Sequence, residues 1–127
     1  MTMLMVGVGG ALGAVSRYYL SAWVNAVAGE SVPWGTFTVN VVGSFALGLL
    51  LVWLQEVTPN EQARQFAAIG VLGSFTTFST FSYETVALAR AGEVVRAGGY
   101  ALGSVFIGVV AVMLGVSLAT AIAGARG

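Results

Sequence analysis

The stretch Gly73-Ser74-Phe75-Thr76-Thr77-Phe78-Ser79-Thr80-Phe81-Ser82-Tyr83-Glu84 decides how this chain is read. Six hydroxyl residues precede the tyrosine: Ser74, Thr76, Thr77, Ser79, Thr80 and Ser82. They sit inside a longer run, Gln65 to Tyr83, that carries no charge. If that run crosses a membrane, each hydroxyl must find a partner away from lipid. Serines and threonines compete with helical hydrogen bonding. With Gly70 and Gly73 beside them, a break near the middle of this helix is expected. A break frees backbone groups, which is tolerated only under protein or in a water-filled cavity. Freed carbonyls bind cations and freed amides bind anions.

The rest of the chain supports the membrane reading. Of 127 residues, 57% are hydrophobic and 8% charged, against roughly 25% charged in soluble domains. Lys, Asp, His and Cys are absent. That removes disulfides, thiolate nucleophiles, Cys/His metal sites and imidazole bases, so an enzyme is not expected. It also removes the basic patch that nucleic acid requires. A crossing helix needs about 20 mostly apolar residues. Gly35 to Gln55 and Ala97 to Ala125 are uncharged, and Met3 to Val27 carries only Arg17. Four crossings, roughly 3–27, 35–55, 65–89 and 97–123, use nearly all of residues 1–127 as a single transmembrane domain. Pro33 and Pro59 fall in the connections, where a missing backbone donor costs little. The N-terminus has no basic region and Arg17 interrupts its apolar run, so it is expected to be retained rather than cleaved.

Orientation normally follows Lys/Arg counts in short loops. Four crossings place Arg64 and Arg126 on one side and Arg90 and Arg96 on the other. Two against two gives no bias. A weakly biased protein inserting one way and a protein made in both orientations fit this balance equally well.

Several residues carry candidate chemistry, each with a plainer alternative. Phe78 and Phe81, three apart, share a helix face; their positive ring edges suit an anion and their negative faces a cation, or they simply pack. Ser79 and Thr80 offer hydroxyls or bond back to the preceding turn. Glu84 lines the same track or reaches to the membrane surface. Among Thr36, Thr38, Asn40 and Ser44 of the second crossing, Asn40 offers two donors and one acceptor, to an ion or to a neighbouring helix. Arg17 is costly at depth, so it pairs, snorkels or gives a vestibule positive potential. Tyr100 and Ser104 share a face that extends the hydroxyl track. Glycine and small residues recur four apart at Gly9/Gly13, Ser44/Gly48, Gly99/Gly103, Ser104/Gly108 and Ala111/Gly115, a spacing that lets membrane helices approach closely.

Three blocks resemble the Fluc (CrcB) family of bacterial fluoride channels. They are Gly9 to Tyr18 (GGALGAVSRY), Gly35 to Gly43 (GTFTVNVVG) and, with highest specificity, Gly70 to Glu84 (GVLGSFTTFSTFSYE). The resemblance spans essentially the whole chain, with the fourth crossing matching by pattern only. It implies an all-α membrane protein with a broken third helix, forming an antiparallel, dual-topology homodimer with two fluoride pores. It implies a pore lined by Asn40, Phe78, Phe81, Ser79, Thr80, Glu84 and Ser104, and a vestibule arginine at Arg17. It further implies a structural sodium ion held by the main-chain carbonyls of Gly73 and Thr76 from both subunits. The resulting function is passive fluoride export through the bacterial inner membrane.

Two other readings remain in view. A small multidrug-type dual-topology transporter also has four short crossings, but wants a carboxylate in mid-membrane. Crossings one, two and four have no acid, and Glu84 lies near an end. A non-transporting scaffold subunit would use the glycines and leave the hydroxyl–phenylalanine cluster without a purpose.

Overall fold

The computed structural model describes residues 1–126 and is all-helical. Helix α1 spans Thr2–Ala28 and α2 spans Trp34–Val52, continuing as a π-helical turn, Trp53–Val57. The chain then forms a short α3, Glu61–Ala63, a π-helical stretch, Arg64–Leu72, and a short α4, Gly73–Phe75. After a break come α5, Phe78–Arg90, and α6, Val94–Arg126. Among the described residues, three helical stretches are long and apolar enough to cross a membrane: Thr2–Ala28, Trp34–Val57 and Val94–Ala125. The remaining segment is the broken helix expected from its hydroxyl run.

Local chemistry sets these boundaries. Gly29 and Gly92 have φ of 87° and 84°, a conformation that costs a glycine little, and they end α1 and follow α5. Pro33 stands just before α2. The Asn25 Oδ1 accepts from the Gly35 amide at 2.8 Å, tying the first connection back to α1. Asn60 caps α3, its Oδ1 accepting from the Ala63 amide at 3.0 Å. Glu61 and Arg64 pair through two contacts, 2.6 and 2.9 Å. That hydrogen bond and the adjacent guanidinium charge hold the exposed Glu61 carboxyl below the usual glutamate range.

The helices pack in two units that share α2. Helix α6 lies along α2, and α1 lies along the π-helical stretch and α4; α5 leans on α6. Glycine makes the closest approaches, as the four-residue spacing predicts. A Cβ at Gly9 would strike the carbonyl of Phe66, and one at Gly13 the carbonyl of Val71. Gly48 and Gly115 meet the opposing backbone between α2 and α6 in the same way. Gly99 and Gly103 face open space instead. The true core is thin and strung along the α2–α6 seam, with Val39 fully buried near one end and Ala119 near the other. Leu102, Phe106, Val109, Met113 and Leu114 leave one side of α6 exposed and apolar, a surface suited to lipid or protein rather than water.

The π-helical stretch is a finding that the sequence did not announce. Runs with i→i+5 bonding are rare and gather at functional sites. This one runs into α4, which leads to the break, and lies against the glycine face of α1.

Candidate functional site

The break occupies Thr76 and Thr77, both extended (φ, ψ of −86°, 156° and −149°, 119°). Its backbone is satisfied largely by side chains. The Thr77 amide, which would close a helical turn on Gly73, donates instead to Asn40 Oδ1 at 2.8 Å. Asn40 Nδ2 returns a bond to the Thr77 carbonyl at 3.0 Å. The Thr80 amide, which would close on Thr76, donates to Thr77 Oγ1 at 3.3 Å and so caps α5. Arg17 reaches across from α1, its Nε donating to the Ser74 carbonyl at 3.1 Å. Thr76 turns its Oγ1 back to the Leu72 carbonyl at 3.1 Å. Its methyl group fills the space that a Cβ at Gly43 would need.

The two residues expected to offer main-chain carbonyls, Gly73 and Thr76, are thus among those whose helical donors have been drawn away. Asn40 takes one and the Thr77 hydroxyl the other. Carbonyl oxygens freed in this way match the oxygen preference of a hard cation. The described residues hold no cluster of acids that would compete for it.

Beside the break lies a cavity of about 250 Å³, lined among others by Asn40, Thr76, Thr77, Phe78, Phe81 and Ser104. Asn40 has spent its oxygen and one amide hydrogen on Thr77, which leaves one hydrogen. Ser104 Oγ is buried without a hydrogen-bond partner among the described residues, an unusual state for a buried hydroxyl. Ser104 also borders a second cavity of about 310 Å³, formed with Trp34, Phe37, Arg96 and Tyr100. It therefore stands in the wall between the two. Phe78 and Phe81 have ring centroids 5.9 Å apart, and Phe81 and Tyr100 5.2 Å. Phe78 is 78% exposed, and Gly73 and Ser79 are exposed too, so this site is open along one edge.

Asn40, Phe78, Phe81, Ser104 and Thr76 are brought together, and Gly73 sits at the break. Ser79 and Thr80 lie outside the lining of the cavity. The back-bonding considered for them occurs instead at Thr76 and at Thr85, whose Oγ1 donates to the Phe81 carbonyl at 2.9 Å. Glu84 joins through an intermediary: the Tyr100 hydroxyl donates to its Oε1 at 3.0 Å. Buried Thr36 is a further neighbour of that hydroxyl. Tyr100, expected with Ser104 to extend the hydroxyl track, stands against Glu84, and Thr36, expected only as a polar residue of the second crossing, lies close by. The signal was helical spacing: Thr36 lies four before Asn40, and Tyr100 four before Ser104. Arg17 is on the opposite side of the break, half-buried.

Residues 4–116 match the family described as CrcB-like protein, Camphor Resistance (CrcB). The chain belongs to the CrcB family. A protein of Thermus thermophilus named fluoride-specific ion channel FluC is 50% identical over 121 residues, covering 95% of each chain. Its counterpart in a second strain of that species is 49% identical, covering 95% of this chain and 97% of its own. One from Geotalea daltonii is 44% identical, covering 93% and 96%. Both carry the same name. With its apolar helices, this CrcB-family chain is a multi-pass membrane protein.

Proposed function

We propose that this protein is a fluoride-selective channel that passively exports fluoride across the bacterial inner membrane. The observation that carries the reading is the cavity at the break, where a spare Asn40 amide hydrogen and the partnerless Ser104 hydroxyl meet two phenylalanine rings. Hydrogen donors and positive ring edges in an otherwise apolar wall suit a small, dehydrated anion. The relatives' name supports fluoride as that anion.

The broken stretch serves as a fourth crossing in this reading. Its second half, the 13-residue α5, rises about 20 Å, and the first half supplies the remainder. The working unit is an antiparallel homodimer with two pores. Support comes from the balanced loop arginines and from the open edge at Phe78 and Ser79, which a second copy covers. A central sodium ion is structural, and the fit of its site rests on the diverted donors at Gly73 and Thr76. Bound there, it supplies fixed positive charge near the anion path. Arg17 adds positive potential to the vestibule, and Ser79, Thr80 and Glu84 extend the path beyond the cavity. A negative-inside potential provides about 2.3 kcal/mol per charge per 100 mV, so export needs no fuel.

The small multidrug-type alternative is not favoured. A proton-coupled carrier needs a free carboxylate at depth, and Glu84 is engaged by Tyr100. Purified protein in liposomes loaded with fluoride should release it rapidly once a potassium ionophore clamps the voltage. Liposomes that stay loaded would refute the channel. Single cysteines at Thr58 and at Gly92 should each label from both faces of the membrane; labelling from one face alone would remove dual topology.

A further inference from the structure

We propose that Arg17 is a positioning residue that terminates the first half of the broken helix, holding the Ser74 carbonyl in place of the main-chain amide it has lost. In an unbroken helix the Ser74 carbonyl would accept from the Phe78 amide. Phe78 instead begins α5 beyond two extended residues. The acceptor is met by Arg17 Nε at 3.1 Å, from a residue 57 positions away.

The neighbouring acceptors show how selective this is. The Leu72 carbonyl takes the Thr76 amide and hydroxyl, and the Thr77 carbonyl takes Asn40. Ser74 alone of these is served by a cation. A positive charge also opposes the negative end of a half-helix. Arg17 meets no carboxylate among the described residues, whose ion pairs are Glu61–Arg64 and Glu93–Arg96. Among the described residues it is therefore half of no salt bridge.

Its reach is fixed by the face it stands on. Gly13, one turn earlier on α1, lies against the Val71 carbonyl and the Phe75 amide, with no side chain between. That contact sets the height of α1 above α4. Use of Nε, the guanidinium nitrogen nearest the stem, leaves both terminal nitrogens for water in the vestibule. A lysine has no donor at that point, and its ammonium is compact and strongly hydrated. Arginine is therefore required for shape as well as charge.

The inference rests on the channel reading only for its transport arm. Arg17→Lys and Arg17→Gln are compared with wild type for fluoride efflux at low and high ionic strength, and for amide hydrogen exchange. Both variants should lose at least about tenfold in flux, as for loss of a charged hydrogen bond, and Arg17→Lys, which keeps the charge, should lose it equally at both salt concentrations. Exchange at Thr77 and Thr80 should accelerate by about the same factor, while α6 amides keep their protection. If Arg17 acted through potential alone, lysine would retain full flux, arginine's advantage would fade with salt, and exchange at the break would not change; that result overturns the proposal. One measurement needs no variant: in wild-type protein the Arg17 Nε proton should exchange with water far more slowly than that of exposed Arg90. Equal rates would also overturn it. A wild type without fluoride flux defeats the channel reading while leaving both exchange measurements to decide the role of Arg17.

Discussion

Where α2 and α6 meet at Gly48 and Gly115 the backbone satisfies itself and the helices only pack; between Gly73 and Thr80 the backbone depends on side chains. The first region is built by close approach, with Gly48 and Gly115 removing every atom between two helices. The second is built by substitution, with Asn40, Thr77 and Arg17 standing in for main-chain partners. In lipid an unpaired backbone group costs several kcal/mol, so such a break persists only where substitutes are supplied. The contrast teaches where to look for chemistry: the regular pair is scaffold, and the donors and acceptors left over sit at the break.

The variant that breaks this comparison most severely is Asn40→Asp. It removes both amide hydrogens, placing negative charge beside the Thr77 carbonyl and in the proposed anion path. An uncompensated buried charge costs several kcal/mol, so fluoride flux should fall by about 100-fold or more, measured by efflux from liposomes. Phe81→Ile comes next. It keeps an apolar side chain yet removes the ring contacts to Phe78 and Tyr100. Flux should fall by about tenfold, with the proposed dimer intact by size exclusion; Phe78→Ile, at an exposed ring, should cost less.

Scaffold variants should separate stability from selectivity. In Gly48→Ala the new methyl would stand 2.5 Å from the Val112 carbonyl. Overpacking of this kind costs about 1–3 kcal/mol, seen as a lowered melting temperature, while the fluoride preference of the folded fraction stays the same. Gly7→Ala is the smallest. Nothing lies within 4 Å of its added methyl, so helix propensity should stabilise by up to about 1 kcal/mol with unchanged flux.

Much of this contrast was legible in the sequence because lipid makes patterns severe. Uncharged runs marked the long helices, and hydroxyls beside Gly70 and Gly73 marked the break. Asn40 was legible as a donor, but its larger commitment to the Thr77 backbone was not. That bond depends on how two helices meet, which spacing along one helix does not encode. The same holds for Arg17: its partner is a carbonyl, and any residue supplies one. Glu84 read equally as part of the track or as an acid reaching to the surface, and spacing alone did not show that Tyr100 stands against it. The π-helical stretch Arg64–Leu72 left no mark, because its composition of small and apolar residues serves an α-helix equally well.

The central claim is that the break and its cavity select fluoride by tight, rigid donors. A larger halide dehydrates more readily, so donors alone would favour chloride. The most direct measurement is parallel efflux of fluoride and chloride from liposomes holding the wild-type protein under a clamped potential. The account predicts rapid fluoride release with chloride retained. Chloride leaving as fast as fluoride would contradict it.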